Sequence, residues 1–291
     1  MRFRFSPKVT IIGSLLIIGM LRLSYWQYER HLAKLDYIKL LSSRLNEPVT
    51  PFNSLLERVN QEGVYTADNW EPFFRRRVAV SGQFDFSHEV VLRNRRYEGI
   101  PGVYALAPLK LEGSEYYILV SRGFIPLPYS PLEERKKFQR DAQITFTGLL
   151  KETVPPKFLA PSDPVAGDVK PWVDAWLRVD LANMQKQLPY KILPVFLEVM
   201  ESGDVKGVEE KIVSSKSGRD EMFMLPGQES AIKSDQDIPA IAYPVPIYDT
   251  VVPPGRHQGY IYEWAGMAVM TFLVCLVLQL KRPKSQVTQT P

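Results

Sequence analysis

Two apolar runs, one near each end of the chain, constrain its fold most strongly. They cover residues 9–26 and 260–280. A helix of about 18 residues rises about 27 Å, close to the thickness of a bilayer's hydrocarbon core. Each run can therefore cross a membrane. A cleaved signal peptide is the alternative for the first run, but "LRLSYWQYERH" offers no small-residue cleavage site, so an uncleaved anchor is favoured.

Basic residues beyond the outer ends of both runs predict the orientation. The tails, residues 1–8 and 281–291, hold no acidic residue. Their basic residues are Arg2, Arg4, Lys8, Lys281, Arg282 and Lys284. Because Lys and Arg concentrate on the cytoplasmic side, both termini are predicted to be cytoplasmic and the large middle to be exported. The predicted location is the inner (cell) membrane, with the chain as a multi-pass protein in contact with the lipid bilayer.

Charge and cysteine content exclude several classes of function. Without the two tails the chain has 30 basic and 32 acidic residues, which gives no electrostatic case for nucleic acid. The single cysteine, Cys275, lies within the second apolar run, so the exported part has no disulfide and no thiol nucleophile.

The chain also lacks the common enzymatic signatures. Phosphate-binding loops, dinucleotide fingerprints, nucleophile elbows and zinc motifs are absent from the sequence. In "DFSHE", Ser87 precedes His88, which we interpret as a turn at a strand end rather than part of a triad. The chain is therefore predicted not to be an enzyme. A hydrolase that uses carboxylates alone stays open as an alternative.

The region between the apolar runs is predicted to be helical first and then rich in β-strands. Leucine and isoleucine recur every three or four residues over 27–48, so the first helix should extend beyond the bilayer. Residues 49–256 form the exported domain, with strands such as "RRVAVSGQFDF" and "YYILVSRGFIP". Residues 201–237 are a polar excursion. The predicted fold class is an α+β membrane protein: two transmembrane helices flanking a mainly antiparallel β domain with one or two short helices.

The start of the second membrane helix is the best candidate for a working site. His257, Tyr260 and Trp264 share one helical face. A neutral imidazole is the usual axial ligand of haem iron, and aromatic rings suit a macrocycle. The alternative is an interfacial histidine within an ordinary aromatic belt.

Several motifs resemble those of the surfeit locus protein 1 family, in the same order and nearly end to end. "LSYWQYER" resembles the family's L-G-x-W-Q-x-x-R, and "HQGYIYEWAGMA" resembles its H-L-x-Y-A-x-x-W-F-G-L-A. Between them, "GQFD", "LRNRRYEGIPG" and "SRGFIP" resemble its intermediate motifs. The matching positions are Leu23, Trp26, Gln27, Arg30, Gly82, Phe84, Asp85, Asn94, Arg95, Gly99, Gly102, Pro108, Leu109, Arg122, Gly123, Pro126, His257, Tyr260, Trp264, Gly266 and Ala268.

The resemblance implies an assembly factor, or chaperone, for haem-copper cytochrome c oxidase in respiratory chain biogenesis. Such a factor would bind haem a transiently and aid its insertion into the catalytic subunit, subunit I, with a haem a synthase as a further partner. His257 would ligate the haem iron. Tyr260, Trp264 and Trp26 would line the macrocycle, and Arg30 would help to neutralise its propionates.

Five residues depart from the family pattern, and Arg256, Ile261 and Glu263 among them lie around the same site. Ser24 and Phe124 replace a usual glycine and tryptophan, and Arg256, Ile261 and Glu263 also depart from it. Haem preference is thus left open. The alternative function is a two-helix envelope scaffold or regulator, such as one that controls polysaccharide chain length through protein contacts only. Such proteins are mostly helical outside the membrane.

Two charged residues inside the apolar runs give a separate prediction. Arg22 lies four residues before Trp26, and Glu263 lies six residues after His257. Because charges at membrane depth usually face a partner, Arg22 and Glu263 are predicted to pair across the two helices. The alternatives are that each side chain reaches outward to the interface separately, or that Arg22, Arg30 or Arg256 meets haem propionates.

Overall fold

The structure, a computed structural model, describes residues 2–59, 65–153, 161, 163, 165–167, 171–200, 238, 241–247 and 255–281. The chain divides into two compact units. The helical unit comprises residues 1–40 and 253–291, and the β unit comprises residues 41–252. The predicted polar excursion, residues 201–237, lies outside the described residues.

Helices and strands follow one another along the chain with these bounds. The helices are α1 Pro7–Asn46, α2 Phe52–Val59, α3 Leu132–Arg135, α4 Leu181–Met184 and α5 Gly255–Gln279. The strands are β1 Arg2–Phe3, β2 Thr50–Pro51, β3 Arg77–Phe84, β4 Val90–Tyr97, β5 Ile100–Leu111, β6 Tyr117–Pro126, β7 Gln143–Lys151, β8 Ala175–Trp176, β9 Ile192–Val199 and β10 Leu280–Lys281. Short 3-10 segments cover Asp68–Phe73, Phe86–His88, Leu127–Tyr129, Lys136–Phe138 and Gln185–Gln187.

The helical unit is a pair of long helices, α1 and α5. Both are long and apolar enough to cross a membrane, which indicates a membrane protein. β1 and β10 pair antiparallel at the end where α1 begins and α5 stops. Close approach of the helices needs a small residue, and a Cβ added at Gly13 would collide with the sulfur of Cys275. Part of the α1–α5 interface is therefore built on glycine.

The β unit is one eight-stranded sheet in the order β2-β3-β7-β9-β6-β5-β4-β8. Strand β3 pairs with β7 along its length and with β5 at its end, so the sheet closes on itself through β3, β7, β9, β6 and β5. Most pairs are antiparallel, and this confirms the predicted fold class. Three parallel pairs, β2–β3, β4–β8 and β6–β9, were not predicted, because alternation identifies strands but not their partners.

Of the apolar clusters in the described part of the β unit, two contain a fully buried tryptophan. The amphipathic helix α2 contributes its apolar face to the larger cluster. There Phe52 stacks on the buried Trp70, with 5.6 Å between the ring centroids. The smaller cluster surrounds the fully buried Trp176, whose indole N–H donates to the carbonyl oxygen of Val173 at 2.9 Å. The indole thus gains apolar burial without leaving its N–H unsatisfied.

A proline-rich segment, residues 241–247, is fastened to β6. Phe124 and Val245 exchange two backbone hydrogen bonds of 2.7 and 2.9 Å. The preceding Gly123 has a φ of +129°, and a Cβ there would collide with the backbone of Val245. Only glycine allows this close approach.

Candidate functional site

His257 lies in the first turn of α5 and faces α1. Its ring nitrogen Nδ1 is 2.8 Å from the amide oxygen Oε1 of Gln27. Since the oxygen can only accept, the imidazole donates through Nδ1–H. Gln27 is only 9% exposed, so this hydrogen bond lies inside the helix pair. The structure therefore brings together two residues from the first and last motifs of the sequence.

A second hydrogen bond holds the two helices in this register. The Ser24 hydroxyl donates to the backbone carbonyl oxygen of Ile261 at 3.0 Å. Ser24 lies one turn before Gln27 on α1, and Ile261 lies one turn after His257 on α5, as expected for antiparallel helices. The departure from the usual glycine at position 24 keeps a small residue and adds an interhelical hydrogen bond.

The other predicted site residues lie around this pair but at different depths. Trp264 is partly buried on the same face of α5 as His257, whereas Tyr260 and Trp26 are 43% and 42% exposed. The guanidinium of Arg30 lies 5.5 Å from the Trp26 ring centroid. The exposed rings offer apolar, flat surfaces, and Arg30 offers a cation beside one of them.

The described residues at this site offer one imidazole ligand, which fits a metal that is already coordinated by a cofactor. Among the described residues, no group of three or more His, Cys, Asp or Glu side chains is placed to hold a metal ion. A single imidazole whose Nδ1–H is hydrogen-bonded would suit a haem, since the porphyrin would supply the other nitrogen ligands. His257 would hold such a group, the aromatic rings would meet its faces, and Arg30 would meet its carboxylates.

The predicted pairing of Arg22 with Glu263 is wrong. Arg22 pairs with Glu29 of its own helix at 3.6 Å, and its guanidinium lies 5.6 Å from the Tyr25 ring centroid. Arg22 is two residues before Ser24, and Glu263 is two residues after Ile261. Two residues turn a helix by about 200°, and both Arg22 and Glu263 are exposed, so both charges face away from the α1–α5 interface. Arg22 and Glu29 are about two turns apart, which places them on one face of α1.

The turn that contains Ser87 and His88 is structural, as the sequence predicts. The carboxylate of Asp85 accepts from the Ser87 backbone N–H and caps the 3-10 turn Phe86–His88. Asp85 Oδ2 lies 2.6 Å from His88 Nδ1, and the Ser87 hydroxyl lies 3.0 Å from the same nitrogen. A catalytic triad needs its serine and its carboxylate on opposite ring nitrogens. Asp85, Ser87 and His88 therefore do not form a catalytic triad.

Hydrogen bonds to Asp85 shift its titration. Burial alone would raise the pKa of Asp85, but donors from Ser87, Tyr190 and His88 outweigh it and hold the pKa below its usual value. The Tyr190 hydroxyl donates to Asp85 Oδ2 at 2.6 Å, and burial and this carboxylate raise the pKa of Tyr190 far above its usual value. The hydrogen bond between Tyr190 and Asp85 connects the loop before β9 to the end of β3.

A buried ionic network in the β unit gives a structural role to another family motif. Glu89 is fully buried and lies 2.6 Å from Arg122 Nη1 and 3.4 Å from Arg135 Nε. Arg122 also donates to the carbonyl oxygen of Phe138. Burial raises the pKa of Glu89, although the two arginines act against it. The sequence shows Glu89 and Arg135 only as two charges among many, so their burial was missed.

The central motif residues Asn94, Arg95 and Gly99 also shape the backbone. Asn94 and Gly99 have φ values of +58° and +84°, and the β4–β5 register shifts between Leu92 and Arg95. Arg95 donates to the carbonyl oxygen of Leu177 at 2.7 Å. These features give the motif a structural role in the β4–β5 hairpin.

Comparisons with known proteins agree with the motif pattern. A sequence model of the SURF1 family matches residues 14–269. The chain is 27% identical over 205 residues to a SURF1-like protein of Caenorhabditis elegans, with 64% of this chain and 58% of that protein covered. It is 24% identical over 219 residues to a SURF1-like protein of Caenorhabditis briggsae, with 67% and 63% covered. The alignments thus span less than two thirds of these relatives.

Proposed function

Because the chain belongs to the SURF1 family, we propose that it is a membrane-bound assembly factor for cytochrome c oxidase that binds haem a and aids its insertion into the catalytic subunit. The observation that carries the haem proposal is the hydrogen bond between His257 and Gln27. It presents one oriented imidazole at the end of a membrane-capable helix. Haem supplies redox-active iron with four nitrogen ligands of its own.

His257 and the residues around it have different roles in binding haem. His257 ligates iron, while Tyr260, Trp264 and Trp26 contact the macrocycle through apolar surface. Arg30 binds a propionate through charge-assisted hydrogen bonds. Exposure of Tyr260 and Trp26 supports transient binding, since a ligand bound at the surface of the helix pair can pass to a partner.

The partners and location follow from the same proposal. The oxidase catalytic subunit receives the haem, and a haem a synthase provides it. The chain sits in the inner (cell) membrane with both termini cytoplasmic, because its basic tails flank the two membrane-capable helices. A scaffold acting only by protein contacts is disfavoured, since proteins of that kind are mostly helical outside the membrane and the β unit here is a closed sheet.

An optical spectrum of the purified protein tests the haem proposal. The full-length chain is purified in detergent from a host that makes haem a, and we expect a haem a spectrum that is lost in His257→Ala. His88→Ala is the matched control, because His88 is held by Asp85 in the β unit and should leave the spectrum unchanged. A colourless wild-type protein, or a His257→Ala spectrum equal to wild type, would refute haem ligation by His257.

A further inference from the structure

We propose that Gln27 is a positioning residue for His257: its amide oxygen accepts the Nδ1 hydrogen and so fixes the imidazole tautomer with its lone pair on Nε2, the nitrogen that binds iron. The inference rests on the proposed function, in which His257 ligates haem. It gives α1 a role in holding His257, through Gln27, which is 230 residues from His257 in the sequence.

The geometry leaves the Gln27 amide little freedom. Its Oε1 is 2.8 Å from His257 Nδ1, and the residue is 9% exposed. One turn away, the Ser24–Ile261 hydrogen bond of 3.0 Å fixes the axial register of α1 against α5. The acceptor is therefore held in place by the backbone of α1 rather than by a mobile loop.

The chemistry of imidazole gives this contact a consequence at the metal. A neutral imidazole carries one N–H, and a hydrogen bond to that N–H decides which nitrogen keeps the lone pair. Groups that accept from the outer N–H of a metal-bound histidine orient the ring and raise its basicity, and their loss costs about 10–100-fold in metal affinity or activity. An amide is a neutral acceptor, so a carboxylate at the same position would make the imidazole a stronger donor to iron.

A purely structural role predicts different behaviour. If Gln27 served only to hold the helices together, its loss should resemble the loss of the Ser24 hydrogen bond. Ser24→Ala is thus a matched control, because Ser24 is equally buried, lies on the same face of α1 and makes the neighbouring interhelical hydrogen bond to the backbone carbonyl of Ile261. Gln27→Met removes the acceptor and keeps a long unbranched side chain. Gln27→Glu keeps an acceptor and adds charge.

The test compares these variants as full-length proteins purified in detergent from a host that makes haem a. Haem occupancy, the optical spectrum and the midpoint potential are measured for wild type, Gln27→Met, Gln27→Glu, Ser24→Ala and His257→Ala. We expect Gln27→Met to bind haem about 10–100-fold more weakly. Gln27→Glu should retain haem and titrate at a more negative potential than wild type. Ser24→Ala should match wild type in spectrum and potential.

The outcomes separate this inference from the proposed function. If His257→Ala loses haem while Gln27→Met and Gln27→Glu keep the wild-type affinity and potential, the positioning role is refuted and the ligand role stands. If Ser24→Ala loses as much haem as Gln27→Met, with no potential shift in Gln27→Glu, Gln27 acts only in helix packing. If His257→Ala keeps the wild-type spectrum, the ligand role fails and the inference fails with it.

Discussion

Removal of Arg122 should destabilise the β unit strongly at neutral pH, because the buried carboxylate of Glu89 then loses its nearest cationic partner. Glu89 has no exposed side-chain surface, Arg122 is 10% exposed, and their closest N–O distance is 2.6 Å. Breaking a buried ion pair by removing one partner costs about 3–5 kcal/mol. Arg135 remains 3.4 Å from the other carboxylate oxygen, so we expect Arg122→Met to cost about 3 kcal/mol, the lower end of that range.

The cost should shrink as the pH is lowered. Burial already raises the folded-state pKa of Glu89 above its ordinary value, and Arg122 acts to lower it. Without Arg122 the pKa of Glu89 rises further, so the folded variant binds a proton that the unfolded chain binds only at lower pH. Stability of the variant should therefore increase as the pH falls through this raised pKa, and its deficit relative to wild type should narrow.

Guanidinium-induced unfolding of the full-length chain in detergent measures this loss, with the buried Trp70 and Trp176 as fluorescent reporters of the β unit. Arg75→Met is the matched control. Arg75 also meets a glutamate, Glu152, but their side chains are 24% and 38% exposed. An ion pair that is partly open to solvent contributes far less than a buried one, about 0–1 kcal/mol when it is fully exposed. The reasoning is refuted if Arg122→Met costs no more than Arg75→Met, or if its deficit is the same at neutral and acidic pH.

Three further substitutions test packing, backbone conformation and hydrogen bonding in the β unit. Trp176→Ala should cost about 3–5 kcal/mol in thermal unfolding, since it empties a fully buried site. Gly123→Ala should speed amide hydrogen exchange in β6, because a Cβ at position 123 collides with the backbone of Val245. Gly99→Ala is its control and should leave exchange in β6 unchanged. It should cost only the free energy of a positive φ, about 1 kcal/mol, because a Cβ at position 99 meets nothing within 4 Å. Tyr190→Phe should lower stability by about 1 kcal/mol at neutral pH. That loss should vanish as the pH falls through the depressed folded-state pKa of Asp85, and an equal loss at all pH values would contradict it.

The candidate site was predictable from sequence only in part. The spacing of His257, Tyr260 and Trp264 marked the start of α5, because residues three and seven apart share a helical face. Gln27 appeared only as a motif match. Its contact with His257 depends on how α1 rotates against α5, and the Ser24–Ile261 bond reveals that rotation. The same rotation turns Arg22 and Glu263 away from the helix interface. The sequence showed how deep each residue lies in its apolar run, but not which way its side chain faces.

Local patterns in the sequence determined the two long helices, the β-rich middle and the turn that contains His88. These features depend on residue type and on periodicities of about 3.6 and 2 residues, which short segments carry by themselves. Tertiary structure decided which strands are parallel neighbours, which charges are buried and which residue holds His257. Glu89 and Arg122 are 33 residues apart, and Gln27 and His257 are 230 residues apart. Contacts at such separations arise only when whole elements pack, because packing then fixes which side chains leave water together.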